Sequence, residues 1–360
     1  MKRLILVVSI LLVATALSVQ AQSPQYCSSP YSIEQKFPTS GAEISRWKLC
    51  WQVVDGPSLV ITGAWFRPTT GSQWIKVLYD GRLSELFVPY HGGSPRYTDV
   101  AYGFGSVQLT DGQCPTSPLG PNKDVCMEIR DRGLMWMHDS TFRRGQELVL
   151  WSVLAAANYN YIVEWSFRDD GVMSSRVGAT GQPAGGMTHV HGPVWRLDID
   201  LNGACCDTAM QMAHKEIGLK GFDSMTDITK ATGIKWDPQS YDTLHIRDEH
   251  LMVGKLHPTG WMFMPERSGT PYHQEPFTWF PFWVTPYVWN ETKAEDLPTY
   301  VSGLPSVANT DIVVWYYGGL HHTIRNEDND ASGYSQMTLT MYEGFHLMPF
   351  NVFDSTPFYP

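Results

Sequence analysis

The chain has 360 residues, 17% of them charged, and a formal net charge of −10. No basic run or stripe occurs, which argues against nucleic acid as a partner. After the N-terminus no stretch reaches the roughly 20 apolar residues that a bilayer demands, so no membrane span is expected.

Residues 1–21 read as a secretory signal: Lys2 and Arg3, an apolar run from Leu4 to Leu17, and small residues at Val19-Gln20-Ala21. The expected location is therefore secreted or periplasmic. A short polar leader follows over 22–45. From 46 to 360 strand patterns dominate. Segments 59–66, 148–154, 161–167, 194–201, 311–317 and 337–341 are short and rich in β-branched or aromatic residues. Asp169-Asp170-Gly171 and Leu201-Asn202-Gly203 mark turns. Only 207–217 and 224–231 read as helical. The pattern predicts one mainly β domain, a large antiparallel β-sandwich.

Six cysteines in an oxidising compartment favour disulfides. Cys114 and Cys126 can close a Pro/Gly-rich loop. Cys205 and Cys206 are neighbours and are not expected to pair with each other. Asn290-Glu291-Thr292 is a glycosylation sequon.

Alternate residues of a strand share a face. His189 and His191 can therefore reach one ion together while Val190 turns away. With His322 from a distant strand they make a three-imidazole set that suits Cu or Zn, and the Irving–Williams order favours Cu(II). Asp198 and Asp200 share a face further along the same strand, and Asp311 begins the one leading to His322. Carboxylates with backbone carbonyls suit a Ca-type cation; solvated strand-face charges are the alternative.

These residues resemble the catalytic domain of the copper- and quinone-dependent primary amine oxidases. Asn158-Tyr159-Asn160-Tyr161 is similar to the family's Asn-Tyr-Asp/Glu-Tyr motif. His189-Val190-His191, with Arg196 to Asp200 behind it, is similar to the first copper segment. Asp311 to Tyr316, through His322 to Asp328, is similar to the third-ligand segment. Ser84-Glu85, Val88-Pro89-Tyr90, Trp283 to Tyr287 and Gly344 to Leu347 match further stretches in the same order.

The resemblance implies oxidative deamination of primary amines to aldehydes by O₂, with release of ammonia and hydrogen peroxide. It makes Tyr159 the precursor of a topaquinone and gives copper to His189, His191 and His322. Asp99 falls on the catalytic aspartate, Tyr90 on the tyrosine that hydrogen-bonds the cofactor, and Tyr97 on the gate of the substrate channel. Asn158, ahead of the precursor, joins the catalytic set. Asp198, Asp200 and Asp311, with the carbonyls of Ile199 and Ile312, match a peripheral calcium site. Cys114–Cys126 matches the family's disulfide. The resemblance also implies a homodimer with exchanged hairpin arms, one of them within 205–260. Asn160 stands where the family usually carries an acid, and Ala155 where it carries Thr. They motivate the alternative, a secreted copper-binding β-sandwich that has lost the quinone chemistry.

Overall fold

The computed structural model describes residues 28–68, 72–253, 258–266, 273–325, 328 and 341–353. The signal sequence and Cys27 lie outside them. In chain order the strands are β1 (Ser32–Phe37), β2 (Ser45–Val54), β3 (Ser58–Arg67), β4 (Ile75–Pro89), β5 (Arg96–Thr98), β6 (Cys126–His138) and β7 (Thr141–Ala156). There follow β8 (Tyr159–Arg168), β9 (Met173–Gly181), β10 (His189–Ile199), β11 (Asp207–Ile217), β12 (Lys220–Ile228), β13 (Thr232–Ile234) and β14 (Thr243–Asp248). The last are β15 (Thr259–Pro265), β16 (Phe282–Pro286), β17 (Ile312–Tyr317), β18 (Leu320–His322) and β19 (Met341–Phe350).

Two antiparallel sheets stack face to face. One runs β1-β2-β3-β4-β10-β17-β16-β13, with β5 on β4 and β18 on β10; the other runs β12-β11-β14-β15-β19-β9-β8-β7-β6. Alternation builds the layer between them. Trp195, Leu197 and Ile199 of β10 meet Tyr161, Val163, Trp165 and Phe167 of β8, all buried. Each such large apolar side chain contributes on the order of 1.5–3 kcal/mol on leaving water. β10 lies in the middle of its sheet, paired with β4 on one edge and with β17 and β18 on the other. Every residue of β10 is buried.

The expected mainly β sandwich is present, with local differences. The segments 207–217 and 224–231 are not helices: β11 and β12 form a long hairpin, paired from Ala209–Ile228 to Ile217–Lys220. Ala, Met, Gln, Lys and Glu favour helix intrinsically, but pairing of β11 with β14 extends the sheet and overrides that preference. The polar leader contains β1, which pairs with β2 along its whole length. The strand expected over 194–201 begins earlier, at His189, so the histidine pair lies inside it. Of the segment 337–341 only Met341 is described; it begins β19.

Cys114 and Cys126 form the expected disulfide. Cys205 and Cys206 also form one, against expectation. Cys206 adopts a left-handed backbone conformation, φ 79°, in the tight turn before β11, which brings neighbouring thiols together. Cys50 is disulfide-bonded as well. Among the described residues no helix is long and apolar enough to cross a membrane.

Candidate metal centre and adjoining cavity

The site straddles the sandwich. β10 supplies His189 and His191 from one sheet, and β18 sets His322 directly opposite His189. β8 supplies Tyr159 and Tyr161 from the other sheet, on its inner face. The three imidazoles are 0–1% exposed, and one ligating atom from each lies within 4.8 Å of the other two.

The surrounding hydrogen bonds fix which nitrogen of each ring carries its proton. Nδ1 of His189 lies 2.9 Å from the Met187 carbonyl, which can only accept, so Nε2 keeps its lone pair. Nε2 of His322 lies 3.2 Å from Oδ2 of Asp328, so Nδ1 is free. Tyr161 donates its hydroxyl to Oδ2 of Asp99 at 2.9 Å, so its oxygen accepts from Nδ1 of His191 at 3.1 Å. That leaves Nε2 of His191 free.

Burial holds the rings neutral. It lowers His189 to about 4, takes His191 well below its ordinary value and lowers His322, against the pull of Asp328. Three neutral imidazoles thus point three lone pairs at one place. Nε2 of His189 and Nε2 of His191 are 3.0 Å apart with no proton between them on this assignment. Facing lone pairs repel, and a cation removes that repulsion. The donor set therefore fits a borderline transition metal such as Cu(II) or Zn(II).

Asp328 is 0% exposed and orients His322 from behind. It is held in turn by the Arg325 backbone N–H at 2.8 Å and the Arg325 guanidinium at 3.0 Å. Such partners fix ring orientation and raise ligand basicity.

The Tyr159 hydroxyl lies 3.1 Å from Nε2 of His189 and 3.0 Å from Nδ1 of His322. Its ring stands edge-on to His191 at 4.7 Å. Burial, and then the neighbouring Tyr90, push its phenol well above the ordinary range.

Beside the phenol lies a cavity of ≈ 190 Å³ whose lining includes Tyr90, Tyr97, Asp99, Asn158 and Tyr159. Tyr90 stacks on His189, centroids 4.4 Å apart, and Tyr97 meets Tyr90 edge-on at 6.0 Å. Asp99 is 8% exposed; burial raises its carboxyl to about 6, opposed by the bond from Tyr161. Tyr102 does not shield it: that ring is 63% exposed, at the rim. Asn158 is exposed in the β7–β8 turn, where its amide donates to the Gln182 carbonyl.

Asn160 and Ala155 stand opposite each other in the β7–β8 register. Both are exposed, on the face of the β7–β8 pair away from the phenol. His321 is exposed and stacks on His91, outside the cluster as strand alternation predicts.

Two of the three carboxylates of the second set are buried. Asp198 and Asp200 are 1% exposed, and Asp311 is half-buried. Ile199 faces Ile312 in the β10–β17 register. Lys76 pairs with Asp200, and Arg196 reaches Asp198 at 3.3 Å. One oxygen each of Asp198, Asp200 and Asp311 has no hydrogen-bond partner. Asp207, missed in the sequence, joins them with both oxygens unpartnered; burial and the nearby Asp200 raise it to about 10. Tyr161 and Asp328 were missed as well. Tyr161 was legible as the residue two after Tyr159 on one strand face. Asp328 carried no periodic signal.

The sequence pattern of the family described as "Copper amine oxidase, enzyme domain" matches residues 115–184 and 182–359. The chain belongs to that family. An Arabidopsis thaliana protein named "Amine oxidase [copper-containing] alpha 2, peroxisomal" is 26% identical over 83% of this chain and 56% of its own length. The "Primary amine oxidase" of Lens culinaris is 21% identical over 95% of this chain and 64% of its own length. The chain thus spans a little over half the length of the relatives it matches. Among solved structures, a copper-containing benzylamine oxidase from Hansenula polymorpha superposes with a TM-score of 0.72 at 19% identity, over 87% of this chain and 60% of that one. The Aspergillus nidulans amine oxidase gives 0.68 at 18% identity, over 87% and 52%.

Proposed function

We propose that the chain oxidises primary amines to aldehydes, holding copper at His189, His191 and His322 and using a topaquinone formed from Tyr159. The observation that carries this reading is the Tyr159 hydroxyl, within 3.1 Å of two unprotonated imidazole nitrogens from two different strands. An ordinary core tyrosine has no reason to lie there. Family membership and the printed names of the relatives point the same way.

Copper and the quinone supply the electron acceptor: amine, O₂ and water give aldehyde, ammonia and H₂O₂, two electrons passing from the amine carbon to O₂. The chain's own residues do the rest. Asp99 faces the cavity and accepts the proton from the amine's α-carbon. Its raised carboxyl suits a base working near neutrality. Tyr97 gates the cavity and Tyr90 packs the phenol side of it. The small cavity admits a slender amine and excludes bulk water. Asn160 and Ala155 point away from the phenol, so neither replacement disturbs the site directly.

Three further readings rest on the resemblance. Asp198, Asp200 and Asp311, with the carbonyls of Ile199 and Ile312, hold calcium; their partnerless oxygens support it. The β11–β12 hairpin, with Ile217, Leu219, Phe222 and Met225 exposed, is an arm that reaches a second copy in a homodimer. Residues 1–21 direct export.

The deciding experiment loads the protein with copper in air, then measures peroxide release from a panel of primary amines and colour with phenylhydrazine. Peroxide from some amine is expected, with a coloured adduct in the wild type and none in Tyr159→Phe. Copper binding without adduct or peroxide would leave the copper-binding sandwich without quinone chemistry.

A further inference from the structure

Asp99 lies in a turn, just beyond the three-residue β5. Tyr102 N–H bonds the Thr98 carbonyl at 3.2 Å and Gly103 N–H the Val100 carbonyl at 2.9 Å. The outer side of the turn, Ala101 to Gly103, is exposed. Exposed turns with few buried contacts open at low free-energy cost. A proton acceptor needs better placement than that.

The inner side supplies it. Asp99 N–H bonds the Leu86 carbonyl of β4 at 3.0 Å. The next two N–H groups bond one side chain: Val100 to Oε1 of Glu85 at 2.9 Å, and Ala101 to Oε2 at 3.3 Å. Oε1 also accepts from Leu86 N–H at 2.7 Å. Three successive backbone donors of the turn therefore end on two adjacent residues of β4. Glu85 is 1% exposed and has no place in the cavity lining.

A lone carboxylate at such depth is costly. Glu295, from the turn Ala294–Asp296, brings a second carboxyl near it. Burial, then Glu295, raise Glu85 to about 9. Glu85 is therefore protonated at neutral pH, and its oxygens accept from the turn.

We propose that Glu85 is a positioning residue for the reaction: it locks the backbone at residues 99–101 so that the Asp99 carboxylate stays on Tyr161 and faces the cavity. This rests on Asp99 being the proton acceptor.

The test compares variants of the copper-loaded protein, with turnover expressed per phenylhydrazine-titrated site. Glu85→Asp withdraws the carboxyl by one methylene. Misplacement on an ångström scale can cost about 100-fold, so kcat is expected to fall at least about tenfold. The acid limb of kcat/KM should also move, with copper content and titre unchanged. Glu85→Gln keeps the side-chain length and still accepts from the Val100 and Leu86 N–H groups, losing only the long bond from Ala101, and should stay within about threefold of wild type on the same reasoning. Wild-type turnover with an unmoved acid limb in Glu85→Asp overturns the proposal, as does equal impairment in both variants. Amide exchange on the wild type is independent of how the variants fold. The Val100 N–H should exchange far more slowly than that of exposed Tyr102, and equal rates would also overturn it. Asp99→Asn separates the two claims: if Asp99 is not the acceptor, this variant keeps its turnover whatever the Glu85 variants do.

Discussion

The phenol oxygen of Tyr159 lies 3.0 Å from Nδ1 of His322, across 163 residues of chain and across the gap between two sheets. Neither group makes the site alone. The sandwich brings them together, and the imidazole tautomers leave a lone pair on the side where the phenol lies. Several measurable consequences come from that arrangement.

Replacing His322 by Ala removes one of three convergent donors. Copper affinity should fall by more than the roughly 10–100-fold typical of losing a supporting residue. Elemental analysis of dialysed protein reads the metal and circular dichroism reads the fold. Full copper retention would remove His322 from the ligand set.

Asp328 supports that ligand without belonging to the set. Asp328→Ala should weaken copper binding by about 10–100-fold, while Asp328→Asn, which still accepts from Nε2 of His322, stays close to wild type. Competition with a chelator distinguishes the two. Equal loss in both variants would show that the charge matters and the orientation does not.

The pH profile follows from Asp99. If Asp99 accepts the substrate's proton, its carboxyl must be ionised, and burial raises it to about 6. The amine rate, as kcat/KM, should fall about tenfold per pH unit below that value. Asp99→Asn should lose about 10²–10⁴ in rate at every pH and show no such limb.

The same carboxyl affects stability in the opposite sense. Its folded value is raised, so between its ordinary 3.8 and about 6 the folded chain holds a proton that the unfolded chain has released. Stability therefore falls as pH rises through that window and stays lower above it. Asp99→Asn removes the penalty and should raise the melting temperature at pH 8 but little at pH 4. The ceiling is about 3 kcal/mol, from 1.36 kcal/mol per pK unit. A gain at pH 4 as large as that at pH 8 would contradict this account.

The buried carboxylates give a metal-linked stability test. If they hold calcium, free Ca²⁺ at 100 times its Kd adds about 2.7 kcal/mol to the folded state. Melting temperature should climb with added Ca²⁺ in the wild type and not in Asp198→Asn. Magnesium, which demands tighter octahedral geometry, should stabilise less. An unchanged melting curve would leave Asp198, Asp200 and Asp311 as structural partners of Arg196 and Lys76.

Most of the imidazole cluster was readable because two of its members sit at i and i+2 on a strand, where period-2 alternation alone puts them together. The sandwich was readable from short β-branched and aromatic runs for the same reason. Pairing with a distant strand is invisible to such local rules. The residues 207–217 carry helix formers, yet β14 takes them as a sheet neighbour. Cys205 and Cys206 needed a left-handed residue that composition does not announce. Asp328 owes its place to its bond with His322, and Glu85 to a turn closing over β4. Neither follows a strand period.

β10 carries a polar cluster on each of its faces. His189 and His191 point with Trp195, Leu197 and Ile199 into the sandwich, while Arg196 and Asp198 share the other surface with Val194. Side chains alternate strictly along a strand, so a slip of one position exchanges its two faces. An in-frame insertion or loss of a single codon between residues 192 and 197 would turn either the imidazoles or the carboxylates away from their neighbours. Homologues that keep both centres should therefore place length variation in the loops flanking β10, and none within that stretch.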